Sequence, residues 1–113
     1  MISQGDVWWA DLDEPTGAEP GFRRPVVVVQ GDSFNHSALR TVVTVPLTSN
    51  LRWESAPGNV RLTKRMTGLA RDSVANVSQI VTVDRSILTE RVGSIPLSKL
   101  QLVLAGIDTV LGR

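Results

Sequence analysis

From Val7 to Ile95 the apolar residues come in short bursts, each cut off by glycine, proline or a polar cluster, which is the pattern of strands and tight turns. Val7-Trp8-Trp9-Ala10 follows Gly5-Asp6 and predicts a first strand. Asp13 to Gly21 reads Asp-Glu-Pro-Thr-Gly-Ala-Glu-Pro-Gly and predicts a loop. Pro25 then leads four consecutive valines to Val29, a run suited to a strand buried on both faces. Proline at its first position is tolerated because no ladder donor is needed there. Gly31 to Leu39 predicts a polar turn region with one helical turn. Thr41 to Leu47 predicts a third strand, whose Pro46 implies a bulge, an edge or a strand end.

A second loop, Asn50 to Gly58, precedes a short strand at Asn59 to Leu62, and Lys64 to Arg71 forms a basic loop. Ser73 to Val77, Ile80 to Val83 and Arg91 to Ile95 complete the β content, with Asp84 to Leu88 as a turn or short helical segment. The tail changes period. Leu97, Leu100, Leu104, Ile107 and Leu111 recur at steps of three and four with Val103 and Val110 beside them, which predicts an amphipathic helix covering one side of the sheet. Ser98 with Gln101 suggests a capping box just after Pro96. The expected fold class is mainly β: a small, strongly bent antiparallel sheet, barrel-like, closed by a C-terminal α-helix. SH3-like barrels fit that inventory, as do other small β folds.

At 113 residues the chain has room for a single domain, 1–113. A domain of this size buries a modest fraction of its surface, so a dimer interface would help it. The absence of cysteine and the single histidine, His36, exclude a disulfide scaffold, a thiolate nucleophile and the usual Cys/His zinc sites. Metal and cofactor are both expected to be absent. No apolar run approaches a membrane span and Met1 to Gly5 carries no leader pattern, so the cytosol is the expected location and no membrane partner is expected. The net charge of +1 hides an uneven distribution. Asp6, Asp11, Asp13, Glu14 and Glu19 precede every basic residue, whereas Arg52, Arg61, Lys64, Arg65 and Arg71 lie close together with Glu54 as the acid among them. Such a run is either a footprint for an anionic partner or a solvated face, and charge alone leaves both open.

Familiar catalytic signatures are missing: no phosphate-binding glycine loop, nucleophile elbow, zinc helix or calcium loop occurs. A serine triad would have to use His36, which sits among Asn and Ser in a polar turn. What remains are polar residues at strand ends, where small barrels bind ligands: Arg23 and Arg24 before the valine run, and Thr48, Ser49 and Asn50 after the third strand. An arginine beside a hydroxyl is a cradle for a phosphodiester. The bland alternative is a surface arginine lying along the sheet and a threonine capping a turn.

Several stretches taken together carry more. Gly-Asp-Val-Trp-Trp-Ala-Asp-Leu (5–12), Gly-Ala-Glu-Pro-Gly-Phe-Arg-Arg-Pro-Val-Val-Val-Val (17–29), Val-Pro-Leu-Thr-Ser-Asn (45–50), Pro-Gly-Asn-Val (57–60) and the segment from Gly68 to Asp84 occur in the order and spacing of one family. Over nearly its full length the chain resembles the MazF/PemK toxin ribonucleases of type II toxin–antitoxin systems. The resemblance implies an SH3-like barrel shared with the gyrase-poisoning CcdB toxins, and a homodimer with RNA in grooves near its interface. It also implies sequence-selective, metal-independent cleavage of single-stranded RNA, neutralised by a cognate antitoxin protein.

Carried over by position, the catalytic arginine falls on Arg24, the catalytic hydroxyl on Thr48, and an acidic residue of the first loop on Glu19. Gln79 falls near bound RNA, flanked by Asn76 and Ser78, where some relatives carry an arginine and an aspartate instead. Phe22 and Trp53 lie in loops beside the expected groove and suit base stacking, with Arg23 and Ser49 as neighbouring RNA contacts. Trp8 and Trp9 alternate faces of one strand, so at least one belongs to the core or an interface. The implied chemistry is attack of the ribose 2′-hydroxyl on its own phosphate, giving 2′,3′-cyclic phosphate and 5′-hydroxyl ends. Two alternatives stand beside it. One is a non-catalytic SH3-like module holding nucleic acid or peptide. The other is a gyrase poison on the same fold, which the Leu-Gly-Arg terminus, lacking a tryptophan-bearing tail, does not favour.

Overall fold

β-Branched side chains favour extended backbone, and the valine run is accordingly central to the sheet. The computed structural model describes residues 1–14, 16–18 and 21–113. Its strands are β1 (Asp6–Asp11), β2 (Arg23–Val28), β3 (Thr41–Thr48), β4 (Val60–Leu62), β5 (Ser73–Ala75), β6 (Val81–Asp84) and β7 (Leu88–Ser94). Two one-turn helices, α1 (Asp32–Asn35) and α2 (Lys64–Thr67), lie in loops, and α3 (Leu97–Leu111) ends the chain. The strands make one curled antiparallel sheet in the order β4-β5-β3-β2-β1-β7, with β6 beside the first half of β3. The result is a half-barrel with a C-terminal helix, mainly β as expected. Among the described residues no helix is long and apolar enough to cross a membrane.

The valines are buried on both faces, as their run predicts. Val27 and Val29 join Val7, Val45 and Leu47 in a cluster sealed by Leu100 and Val103 of α3. Val26 and Val28 face a second cluster with Ala10, Val42, Val83 and Leu88, against which Trp8 packs. Each such side chain contributes roughly 1.5–3 kcal/mol relative to exposure. Pro46 sits where β3 changes neighbours: Thr44 is the last residue paired with β6 and Leu47 the first paired with β5. The missing donor thus falls at a seam between partners, and β3 does not end there as its proline allowed but runs on to Thr48, with Pro46 paired to Val26 of β2.

Several boundaries differ from the pattern-based expectation. β7 starts at Leu88, three residues before the expected Arg91, because Leu88 and Glu90 pair with Ala10 and Trp9 of β1 across irregular register. The loop at Asn50 to Gly58 contains a 3-10 turn, Leu51–Ser55, and the expected strand at Ser73 to Val77 ends at Ala75 before another 3-10 turn, Val77–Gln79. The capping box is not made: Pro96 is the N-cap of α3 and no side chain caps it. Leu97 and Leu111 are exposed, whereas Leu100, Val103 and Gly106 form the buried face. Gly106 moves that face, because its missing side chain lets the helix approach the backbone at Gly58.

Surface carboxylates pin the turns. Asp72 accepts from the Lys64 backbone N–H at 2.8 Å and from the Arg61 guanidinium at 3.0 Å, and these bonds hold its pKa below the ordinary value of 3.8. Asp32 is lowered by the N–H of Gln4 and the amide of Asn35, and Asp84 by hydrogen bonds from Ser86. Groups depressed in the folded state contribute fully above their unfolded value, and that contribution is lost as pH falls through the folded values. The urea midpoint is therefore expected to hold steady down to about pH 5 and to drop below about pH 4, with a smaller drop in Asp72→Asn. A midpoint unchanged between about pH 5 and pH 2 would contradict this linkage.

Candidate active site

Arg24 comes from β2 and Thr48 is the last residue of β3. These strands pair Val28 with Thr44, Val27 with Val45 and Val26 with Pro46. The same register carried two residues further sets Arg24 opposite Thr48, and strand alternation turns both to one side. On its other edge Arg24 pairs with Ala10, the smallest side chain of β1.

Two hollows open at this end of the sheet, and Arg24 and Thr48 line both. The first, about 380 Å³, lies between the strand ends at Trp9, Pro25, Leu47 and Ser49 and the segment Leu69 to Arg71. The second, about 460 Å³, is walled by Trp53, Asn76, Ser78 and Gln79, with Ala18 and Asn50 at its edge. Arg24 and Thr48 form the wall between the hollows.

Both residues of that wall have hydrogen-bonding capacity in reserve. The Nε of Arg24 is buried and has no hydrogen-bond partner among the described residues. An unsatisfied buried donor costs about 1–3 kcal/mol, and a native protein tolerates one most readily where a ligand supplies the acceptor. Thr48 Oγ1 accepts the Asn50 N–H at 3.1 Å, which leaves the hydroxyl proton free to be donated. A fixed guanidinium and a hydroxyl donor at one wall can hold a phosphate and stabilise charge that grows on its oxygens.

Arg23 behaves differently from its neighbour. Its guanidinium lies 4.5 Å from the Trp9 ring centroid and 3.3 Å from a Glu90 carboxylate oxygen, so it braces the first hollow. Phe22 is exposed with φ of +59° and lines neither hollow, while its backbone bonds to Leu12 and Asp13. Glu19 lies outside the described residues. The basic run is divided: Arg61 pairs with Asp72 at 3.0 Å and Glu54 at 3.5 Å, whereas Arg71 reaches the first hollow.

The second hollow is held together by a residue not singled out from the sequence. Asn59 Nδ2 donates to the Trp53 carbonyl at 2.9 Å, and its Oδ1 accepts the Val77 N–H at 3.0 Å. It thereby joins the wall carrying Trp53 to the wall carrying Asn76, Ser78 and Gln79. Asn76 Oδ1 accepts from Asn59 at 3.4 Å and from Ser78 Oγ at 3.3 Å, and Gln79 Nε2 donates to the Ala18 carbonyl at 2.7 Å. The amide N–H groups of Asn76 and the second carbonyl lone pairs are then directed by fixed frames, which suits reading polar edges. Asn59 stands in the Pro-Gly-Asn-Val stretch, yet only the fold brings its partners to it.

Comparison with known proteins places the fold and the family. The family described as PemK-like, MazF-like toxin of type II toxin-antitoxin system matches residues 3–111. Endoribonuclease MazF2 of Mycobacterium bovis is 46% identical over 98% of this chain and 97% of its own. Among solved structures, MazF from Deinococcus radiodurans superposes with a TM-score of 0.83 at 24% identity, covering 99% of this chain and 97% of that one. An endoribonuclease in complex with its cognate antitoxin from a mycobacterial species superposes with a TM-score of 0.80 at 21% identity, covering 99% and 96%.

Proposed function

Because the chain belongs to the PemK-like, MazF-like toxin family, we propose that it is an endoribonuclease toxin, acting as a single domain on single-stranded RNA. The observation that carries this reading is the buried, unpartnered Nε of Arg24 beside the Thr48 hydroxyl, in a wall shared by two hollows. The substrate supplies its own nucleophile. The 2′-oxygen forms a bond to the adjacent phosphorus while the bond to the 5′-oxygen breaks, leaving a 2′,3′-cyclic phosphate and a 5′-hydroxyl end. The 2′-proton goes to a base, and the departing 5′-oxygen takes up a proton.

Arg24 stabilises the charge on the phosphorane and stands as proton donor to the leaving oxygen, and Thr48 donates a hydrogen bond to a non-bridging oxygen. A guanidinium is a poor base because it stays protonated at neutral pH, so we assign proton abstraction to a carboxylate, Glu19. Gln79, Asn76 and Ser78 would contact the bases, with Trp53 stacking on one and Ser49 beside the backbone. We further propose a homodimer in the cytoplasm, neutralised by a cognate antitoxin protein; the mycobacterial endoribonuclease is itself found in complex with its cognate antitoxin.

The test is incubation of the purified protein with a mixed RNA pool, followed by mapping of new ends. Cuts are expected to cluster at one short element, with 5′-hydroxyl and cyclic phosphate termini and with no loss of activity in a chelator. An oligonucleotide with a single 2′-deoxyribose at the cut position should stay intact, since its nucleophile is gone. Termini bearing 5′-phosphate, or intact RNA after long incubation, would refute the reading.

A further inference from the structure

The first hollow lies on the far side of the Arg24–Thr48 wall, and its composition differs from that of the second. Trp9, Pro25, Leu47 and Leu69 give it an apolar floor, and no carboxylate lines it among the described residues. Its rim is basic. Arg23 is held against Trp9 and Glu90, whereas Arg71 has no ion-pair partner among the described residues.

The segment presenting Arg71 is fixed at both ends. Gly68, at φ of +84°, ends α2 with its N–H on the Lys64 carbonyl, and the Leu69 N–H bonds to Thr67 Oγ1 at 3.1 Å. At the other end Asp72 is tied to Lys64 and Arg61. The wall is therefore preorganised, and binding against it costs little ordering of the protein.

We infer that the first hollow is a nucleotide subsite, taking the nucleoside next to the scissile phosphate on the side opposite the second hollow, with Arg71 on the following phosphate. The inference rests on the proposed function and deepens it. Both hollows share the residues that would grip the phosphate, so a strand gripped there must send one neighbour into each. An apolar floor with a cationic rim matches a base attached to a phosphodiester, and a hollow of about 380 Å³ admits one nucleoside.

The experiment measures kcat/KM on oligonucleotides lengthened one nucleotide at a time from the cut element, separately toward the 5′ and 3′ ends. In the native protein the first nucleotides added on one side are expected to raise kcat/KM about tenfold. In Arg71→Gln, and in Ala70→Glu, which places an anion on the exposed rim, that gain should shrink to about twofold or less, mainly through KM, with the gain at the other end retained. Arg40→Gln, at the opposite end of β3, controls for net charge and should preserve both gains. Equal losses at every substrate length would mean that Arg71 acts as diffuse charge, and would overturn the subsite. Unchanged length dependence in both rim variants would also overturn it, leaving the hollow to a protein partner. Failure of the native protein to cut any oligonucleotide would instead remove the proposed function beneath it.

Discussion

Replacing Arg24 with leucine is expected to slow RNA cleavage by about a hundred- to a thousandfold while leaving the melting temperature unchanged or raised. The two halves of that result have one cause. The Arg24 Nε is a buried donor without an acceptor among the described residues, so in the free protein it is a cost to folding. Leucine keeps an apolar stem beside Ala10 and removes the orphan. In the reaction the same group meets an anionic oxygen, where a preorganised charge in a shielded site acts more strongly than in water. Arg24→Lys should rescue little, because an ammonium keeps the charge and loses the planar fork. Paired initial rates and thermal melts decide the matter. Full activity in Arg24→Leu would remove the residue from the chemistry. A large drop in melting temperature with proportionate loss of activity would make it structural.

How much of this was legible beforehand differs by residue. The central strands were readable because four valines in sequence fit no surface element, and burial on both faces follows from that composition. Arg24 and Thr48 were readable as strand-end polar residues. That they share a wall depends on the β2–β3 register, which residue type does not encode. β7 began earlier than its apolar pattern because pairing with β1 carries Thr89, Glu90 and Arg91 into the sheet. Arg23 and Phe22 show the limit of residue type: cation and aromatic suggest RNA contacts, yet Arg23 is held by Trp9 and Glu90 at the rim of the first hollow, and Phe22 lines neither hollow. Asn59 was invisible because its partners, Trp53 and Val77, belong to separate turns.

Gly106 carries the second large effect, and here a rule of helix propensity reverses. In an exposed helix interior, glycine to alanine would stabilise by about 1 kcal/mol. At position 106 a Cβ would lie 2.1 Å from the Gly58 carbonyl oxygen, inside any allowed contact, and the obstacle is backbone. Gly58 cannot easily yield: it holds φ of +83°, and Val77 and the helix crowd its own open side. Gly106→Ala is therefore expected to lose about 2 kcal/mol or more and to melt about 10 °C lower, with Gly106→Val worse. Gly31→Ala is the control, since nothing lies within 4 Å of its Cβ position and its φ is −64°; it should be neutral or slightly stabilising. The damage should also reach the site. Asn59 follows Gly58 directly and bonds both walls of the second hollow, so a displaced turn shifts Trp53 relative to Gln79. At a temperature where Gly106→Ala remains folded, KM for RNA should rise more than kcat falls. Stability and KM both equal to the native protein would show that the helix is free to lift, and that the glycine contact does not set the groove.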